Sequence, residues 1–306
     1  MKVVISGSTG LVGGKLVEKL LENGDTVVRL VRKNIPDDDT IKVPWNPYEG
    51  EIERERLEGL DAVVNLSGAN IAGSRWTEER KKILLDSRIV TTMFLSDTIA
   101  SLSAKPSVMM SASATGYYGE TRRDAPANEY SPYGNGYLAK ACREWEAATH
   151  PASNAGIRVV NGRIGVVLSS KEGALAKMLP VFRAGIGGYF GSGHQMMSWI
   201  TLDDLVDAII HILQNDSLSG PVNMVSPQPV TNRVFAQTLA DVLGKPCFTR
   251  VPAFALKLAL GAEMAKETIL MSQGVIPEKL TETGFEFGYG DLENALRHAI
   301  NDGNDS

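Results

Sequence analysis

Three glycines near the N-terminus, Gly7, Gly10 and Gly13, have a spacing that suits phosphate binding. They follow the apolar run 2–5 and precede an amphipathic segment. Glycines at a strand-to-helix turn allow a tight bend, a close approach to a pyrophosphate and tight helix–strand packing. The N–H groups of the helix N-terminus would then face the phosphates. The spacing predicts a dinucleotide-binding turn, whose residues are the candidate cofactor contacts Gly7, Ser8, Thr9, Gly10, Leu11, Val12 and Gly13.

A further candidate contact stands at the end of the next predicted strand, 26–31. NAD-binding proteins commonly place an acidic residue there, where it binds the ribose 2′-hydroxyl. This sequence instead has Arg32 and Lys33, whose positive charges suit the 2′-phosphate of NADP. We therefore expect NADP(H) rather than NAD(H), with Arg32 as the main contact. The alternative is that both side chains lie at a solvated strand end and bind no ligand.

The elements that would position these residues repeat in strand-then-helix order. Apolar strands are predicted at 2–5, 26–31, 60–66, 107–113 and 157–168, and helices at about 77–100 and 136–149. This order is typical of an α/β fold with a doubly wound parallel (Rossmann) sheet, in which ligands lie at the carboxyl ends of the strands. Leu66, Ser67 and Gly68 form a small-residue turn at one such end, suited to contact with adenine or ribose.

Two parts of the chain look less regular. The polar stretch from residue 37 to Pro47 predicts a surface loop, and the glycine-rich stretch 185–193 predicts an ordered loop or hairpin. Short helices alternate with Pro and Gly turns beyond residue 229. We expect residues 1–168 and 200–226 to form an NADP-binding domain. Residues 169–199 and 227–300 are expected to form a smaller C-terminal substrate or lid lobe, and 301–306 a disordered tail.

Composition excludes several classes of function. The net charge is −5, with 31 Lys and Arg against 36 Asp and Glu and no long basic run, which argues against nucleic-acid binding. Cys142 and Cys247 form no CxxC pair, and four scattered histidines show no metal-ligand spacing. The chain starts directly with a predicted strand and has no apolar run approaching the ~18 residues of a membrane span. We expect a cytoplasmic protein without a metal or a membrane partner.

The chain resembles the extended short-chain dehydrogenase/reductase superfamily. Within it, the chain is similar to the atypical epimerase-family group that carries a C-terminal domain of unknown function and is often labelled nucleoside-diphosphate-sugar epimerase. The glycine turn has GxxGxxG spacing rather than GxGxxG, and the helix with Tyr137 and Lys140 also supports the resemblance. The longer matching motifs lie at 65–68, 113–119, 177–183, 191–195, 221–227 and 284–287, so the resemblance covers essentially the whole chain.

The resemblance implies a catalytic site. In the superfamily a Ser or Thr binds the substrate oxygen, a Tyr exchanges the proton, and a Lys four residues later lowers the pKa of that Tyr and binds the nicotinamide ribose. Ser113 and Tyr137 match the first two roles, whereas Ala141 occupies the Lys position and Lys140 stands one residue earlier. Arg88 matches a cofactor-facing arginine. Each of these side chains also has a purely structural interpretation, as a strand-end hydroxyl, a helix aromatic or a surface cation.

Two classes of function remain open. The first is an NADP(H)-dependent oxidoreductase or epimerase-like enzyme acting on a small polar substrate, nucleotide sugars included. Ser113 would polarise the substrate oxygen and Tyr137 would exchange its proton. The second is an NADPH-binding sensor or regulatory protein without turnover, suggested by Ala141. Arg163 either binds a substrate anion or pairs with a carboxylate, and a homodimer is expected for the family.

Overall fold

The computed structural model of the chain describes residues 1–32 and 38–301. Lys33, which the sequence analysis named beside Arg32, and residues 302–306 of the expected tail lie outside the described residues. Residue 301, the first residue of that expected tail, is instead the last residue of a helix.

A mostly parallel sheet forms the centre of the molecule. The strands are β1 (Lys2–Ser6), β2 (Thr26–Val31), β3 (Ile41–Asn46), β4 (Glu51–Ile52), β5 (Ala62–Asn65), β6 (Val108–Ala114), β7 (Arg158–Ile164), β8 (Val166–Leu168), β9 (Gly188–Phe190), β10 (Met196–Met197), β11 (Trp199–Thr201), β12 (Gly220–Met224), β13 (Val230–Thr231) and β14 (Thr249–Val251). Within the described ranges the main sheet has eight strands, in the order β12-β7-β6-β5-β1-β2-β3-β4, and only β4 runs antiparallel to its neighbour. Chain progression reverses on either side of β1, which is where such sheets bind dinucleotides.

Helices cover both faces of this sheet. They are α1 (Leu11–Glu22), α2 (Glu78–Ala100), α3 (Tyr137–Ala147), α4 (His150–Asn154), α5 (Gly173–Arg183), α6 (Leu202–Gln214), α7 (Asn232–Val242), α8 (Ala253–Leu260), α9 (Ala262–Met264), α10 (Glu278–Glu282) and α11 (Leu292–Asn301), with 3₁₀ turns at Arg54–Leu57 and Thr115–Tyr118 and a π-helical segment at Ala265–Leu270. Val3 and Ile5 pack with Leu16 of α1, whereas Val4 packs with Leu95 of α2. The alternation along β1 therefore builds two cores, and the predicted doubly wound fold is confirmed.

A third core lies beside the sheet. It joins α5, α7 and α11 through residues such as Phe182, Phe235 and Leu296. Two-stranded sheets link this part of the molecule, pairing β8 with β11, β9 with β14 and β10 with β13. The prediction of a loop or hairpin at 185–193 is wrong for 188–190, because β9 pairs in parallel with the distant β14 rather than with a neighbouring segment.

The prediction of a surface loop from residue 37 to Pro47 is also wrong for residues 41–46. Residues 41–46 form β3, which pairs in parallel with β2. Val43 and Trp45 are buried in the core on the α2 side, while Lys42 before them and Pro44 between them are more exposed. This is the period-two pattern of a half-buried strand, and two inward residues supply too weak a signal among polar neighbours.

None of the helices in the described part of the chain is long and apolar enough to cross a membrane.

Candidate functional site

The glycine turn is as tightly built as its spacing predicts. Gly7 has a φ of +73°, and a Cβ there would lie 2.7 Å from the carbonyl carbon of Leu66. A Cβ on Gly13 would lie 2.3 Å from the oxygen of Gly7, closer than any real contact. At Gly10 the nearest atom would be that same oxygen at 3.5 Å, an ordinary distance. Packing within the protein therefore requires glycine at Gly7 and Gly13, whereas Gly10 has space that the protein itself does not fill.

The N-terminus of α1 offers free N–H groups at this turn. Gly10 is its N-cap residue, so no side chain caps the helix, and its first turn contains no acidic residue. The first N–H groups of a helix have no partners within the helix and favour an anion. The turn therefore fits the diphosphate of a dinucleotide, with amides of Leu11, Val12 and Gly13 as the donors.

A half-buried arginine that the sequence analysis missed supports the turn. Arg29, in β2, donates from Nε to the hydroxyl of Ser8 and from Nη2 to the Ser8 carbonyl oxygen, both at 3.1 Å. Its Nη1 lies 2.6 Å from a carboxylate oxygen of Asp38. Arg32, the predicted 2′-phosphate contact, is exposed just beyond β2. A charged residue inside an otherwise apolar strand was the available signal for Arg29.

A buried polar network holds the neighbouring strand ends together. Ser6 donates to Asn65 Oδ1 at 2.6 Å, and Asn65 Nδ2 donates to the hydroxyls of Thr92 and Ser111. The indole of Trp145 donates to the same Thr92 hydroxyl at 3.0 Å. Because β1, β5, β6, α2 and α3 all contribute, the network fixes the relative positions of the turn and the segment 66–68 that follows β5.

A cavity of about 220 Å³ opens beyond the ends of β6 and β7. Most of its lining is apolar or aromatic, which is usual for ligand sites. The lining residues come from the segment after β5, from α2 and α3, from the end of β6 and the 3₁₀ turn after it, from the end of β7 and the start of β8, and from the C-terminal part of the chain. They are Ile71, Leu84, Arg88, Ala114, Thr115, Gly116, Tyr137, Leu138, Ala141, Cys142, Trp145, Ile164, Gly165, Val166, Glu267, Thr268 and Gln273. Arg88 and Tyr137, both predicted site residues, are thus brought to one cavity.

Arg88 connects this cavity to the segment after β5. Its guanidinium donates to the carbonyl oxygens of Leu84 and Ala69, at 2.9 and 3.1 Å, and lies 5.0 Å from the Trp145 ring centre. A Cβ on Gly68 would lie 3.3 Å from the guanidinium carbon. Burial lowers the pKa of Arg88 from its usual value. The site therefore holds a cation whose neutralisation by an anionic ligand would be favourable.

Ser113 is placed outside the cavity lining and bonded to a carboxylate. Its hydroxyl donates to Glu146 Oε1 at 2.7 Å, and Arg163 donates to both oxygens of Glu146, at 2.8 and 2.9 Å. Arg163 also donates to the hydroxyl of Tyr118. Burial by itself would lower the pKa of Arg163, but the hydrogen bonds and charge of Glu146 raise it overall. Of the two interpretations of Arg163, the structure shows the carboxylate pair.

The side chain of Tyr137 lines the cavity, whereas that of Lys140 is exposed to solvent. The Tyr137 hydroxyl donates to the carbonyl oxygen of Lys81 at 2.9 Å, and its ring lies 5.1 Å from that of Trp76. Burial raises the pKa of Tyr137, while the cations Arg88 and Lys81 act against that rise. Lys140 is 74% exposed and pairs with Glu144 at 3.7 Å. A spacing of three residues turns Lys140 away from the cavity, where Ala141 stands.

Glu267 is a cavity residue that no local pattern indicated. It lies in the π-helical segment, 8% exposed, and its two oxygens accept the backbone N–H groups of Tyr137 and Leu138 at 2.9 and 2.8 Å. It thereby caps α3, whose N-cap residue Gly136 has no side chain. The contact joins residues 130 positions apart, beyond the reach of sequence periodicity.

The buried thiol of Cys142 is a weak candidate for nucleophilic chemistry. Cys142 lines the cavity, but burial raises its pKa to about 12, so it is a thiol and a poor nucleophile at neutral pH. Among the residues the structure describes, His, Cys, Asp and Glu side chains form no group of three or more placed to hold a metal ion.

Two family models and several proteins of known sequence match this chain. The model of the NAD dependent epimerase/dehydratase family matches residues 3–225, and that of a domain of unknown function, DUF1731, matches residues 251–299. The epimerase family protein Mb2239 of Mycobacterium bovis is 42% identical over 297 residues, which is 97% of either chain.

Two solved structures share the fold. The human epimerase family protein SDR39U1, crystallised with NADPH, has 32% sequence identity and a TM-score of 0.88, covering 98% of this chain and 100% of that one. UDP-glucose 4-epimerase from Thermotoga maritima, solved with UDP-glucose, has a TM-score of 0.79 over 100% of this chain and 99% of that one. Its identity is 18%, so that likeness concerns the fold alone.

Proposed function

We propose that this chain, which belongs to the NAD dependent epimerase/dehydratase family, binds NADP(H) and is an oxidoreductase or epimerase-like enzyme acting on a small substrate. The observation that carries the proposal is the uncapped N-terminus of α1 behind a turn that tolerates no side chain at Gly7 or Gly13. The relative crystallised with NADPH supports the same coenzyme.

The choice of NADP(H) rests on positive charge beside the turn. Arg32 is exposed at the end of β2, and Arg29 holds Ser8 of the turn. A guanidinium at this strand end favours a 2′-phosphate over a bare hydroxyl, because it supplies both charge and fork-like donors. Arg88 would lie near the other half of the coenzyme, between Gly68 and the cavity.

The origin of the cavity lining supports a division of the chain into two parts. We assign residues 1–168 and 200–226 to coenzyme binding, and 169–199 and 227–300 to a lobe that closes the substrate cavity. Glu267, Thr268 and Gln273 of the second group line that cavity. Lys81 near the start of α2 also pairs with Glu263 at 3.0 Å, which ties the lobe to the coenzyme-binding part.

We assign proton exchange to Tyr137, because its ring lines the cavity. The bound coenzyme would supply a hydride donor or acceptor. The hydroxyl of Tyr137 has to leave the Lys81 carbonyl to reach a substrate, and Ser113 has to release Glu146 before it can donate to the substrate oxygen. Lys140 takes part only if its pair with Glu144 opens. The cations that act on the pKa of Tyr137 in this structure are Arg88 and Lys81.

Turnover tests the catalytic half of the proposal. Purified protein with NADPH is given a panel of carbonyl compounds and nucleotide sugars, and oxidation is followed at the nicotinamide absorbance. Oxidation by the wild type should exceed that of a Ser113→Ala/Tyr137→Phe double variant. Equal rates would refute catalysis by this pair. Calorimetry with NADPH tests the binding half separately.

The second candidate is an NADPH-binding sensor, and the hydrogen bonds of Tyr137 and Ser113 favour it. Both hydroxyls already donate to protein acceptors, and Ala141 stands where a lysine would lower the pKa of Tyr137. A sensor would bind NADPH without turnover and change its affinity for a partner with coenzyme occupancy. Pull-downs with and without NADPH that recover the same proteins would count against this candidate.

A further inference from the structure

Two side chains of opposite charge line the cavity, Arg88 from α2 and Glu267 from the π-helical segment. Both oxygens of Glu267 act as acceptors, which is the hydrogen-bonding pattern of an ionised carboxylate. An ionised carboxylate has about four acceptor sites, so two backbone N–H groups leave capacity for a ligand. The C-terminal part of the chain thus contributes a negative charge to the candidate site.

The backbone opposite Glu267 leaves this charge little freedom to move. Gly136, directly before α3, has a φ of +108°, and a Cβ there would lie 2.6 Å from Glu267 Oε1. A residue with a side chain at this position would displace the carboxylate. The two N–H bonds from Tyr137 and Leu138 hold it from the same side. Glu267 is therefore fixed in position relative to α3 and the cavity.

We propose that Glu267 sets the relative affinity of the protein for oxidised and reduced NADP. This rests on the proposed function, in which the nicotinamide end of the coenzyme reaches the cavity. The oxidised ring carries a positive charge, which hydride addition removes, so a carboxylate in a poorly solvated cavity favours the oxidised form. Arg88 acts in the opposite direction. Glu267 balances that cation, and without it the cavity would select the reduced coenzyme.

The experiment measures binding alone and needs no substrate. Dissociation constants for NADP⁺ and NADPH are determined by calorimetry for the wild type, Glu267→Gln and Glu267→Ser. The serine variant leaves room for water at the N–H groups of α3, in case the glutamine amide faces those donors badly. Loss of the carboxylate should raise the ratio of the NADP⁺ to the NADPH constant about tenfold, as expected for a charge acting inside a protein.

Two further variants separate a charge effect from a structural one. Glu286→Gln removes an exposed acid of the C-terminal part that does not line the cavity, and should leave the ratio within about twofold because water and salt screen it. Gln273→Glu adds a carboxylate to the cavity lining and should move the ratio in the opposite direction. If neither Glu267 variant folds, the direction in which Gln273→Glu changes the ratio decides whether the charge argument holds.

The outcomes distinguish this inference from the proposed function. A wild type that binds neither form at millimolar concentration refutes both. A wild type that binds both forms, together with Glu267 variants whose ratio stays within twofold, refutes only the role of Glu267. A Gln273→Glu variant that leaves the ratio unchanged, or raises it, likewise overturns the charge argument.

Discussion

Two adjacent glycines of α1 allow a matched test of the glycine turn, because the same substitution can be made at neighbouring positions. Gly13 and Gly14 are both in the first turn of the helix, and both lack a side chain. An added Cβ meets the oxygen of Gly7 at 2.3 Å from Gly13, but meets no atom within 4 Å from Gly14. Alanine at the two positions should therefore have opposite effects.

The magnitudes follow from two opposing contributions. Alanine in place of glycine inside a helix stabilises by about 0.5–1 kcal/mol, because the unfolded chain loses freedom. Gly14→Ala should show that gain undiminished. At Gly13 a backbone atom blocks the methyl group, and overpacking costs typically ~1–3 kcal/mol. Gly13→Ala should therefore be destabilised by roughly 1–2 kcal/mol, and should bind NADPH at least about 100-fold more weakly because the turn must open.

Urea unfolding and calorimetry measure both quantities on the same preparations. Gly14→Ala should keep its NADPH dissociation constant within about twofold of the wild type, since its methyl group faces solvent. Gly10→Ala adds a third comparison, because 3.5 Å to the Gly7 oxygen is an ordinary contact. Its stability should change by less than about 1 kcal/mol, but affinity should fall about tenfold if a diphosphate occupies that space. Equal changes at Gly13 and Gly14 would refute the packing argument.

Three further predictions concern charged groups. Arg32→Glu should weaken NADPH much more than NADH in calorimetry, because repulsion replaces attraction to the 2′-phosphate; equal losses would remove Arg32 as the discriminator. Arg163→Met should destabilise the protein by about 3–5 kcal/mol in urea, because it leaves the Glu146 carboxylate buried without its partner; adding Glu146→Leu should recover part of that loss, and no recovery would contradict the pair. The hydrogen bond from Thr40 lowers the pKa of Asp38 to about 2, so this carboxylate stabilises the fold above pH ~4 and loses that effect as the pH falls towards 2. Asp38→Asn should flatten this part of the stability profile, and an unchanged profile would show that Asp38 contributes nothing.

Features with a strong local signal could be predicted from the sequence. The family resemblance is confirmed by the match over residues 3–225. The helix expected at 77–100 is Glu78–Ala100, and that expected at 136–149 is Tyr137–Ala147. The Thr201-x-x-Asp204 spacing is a helix-start signal of this local kind, and the Thr201 hydroxyl accepts the N–H of Asp204 at the start of α6. Hydrophobic periodicity and the residues at helix ends depend on neighbours within a few turns, so they can be recognised without knowledge of the tertiary structure.

The missed features depend on residues far apart in the chain. β3 is held by pairing with β2 and by burial of Val43 and Trp45, which polar surroundings conceal in the sequence. Glu146 pairs with Arg163 on β7, and Glu267 reaches α3 from the C-terminal part. An isolated acidic residue in a helix is expected to be exposed to solvent. Only the fold shows that these two acids are buried against partners.

The small sheets that link the third core have a consequence for the order of assembly during synthesis. Each of them joins a strand before residue 202 to a distant one, and β9 finds its partner only when Thr249–Val251 has been made. The nucleotide-binding turn emerges from the ribosome with the first helix, whereas Glu267 follows much later in the chain. A nascent chain can therefore present the site for the diphosphate of the coenzyme before the pocket for its nicotinamide is complete. Translational pausing would lengthen the time between these two stages.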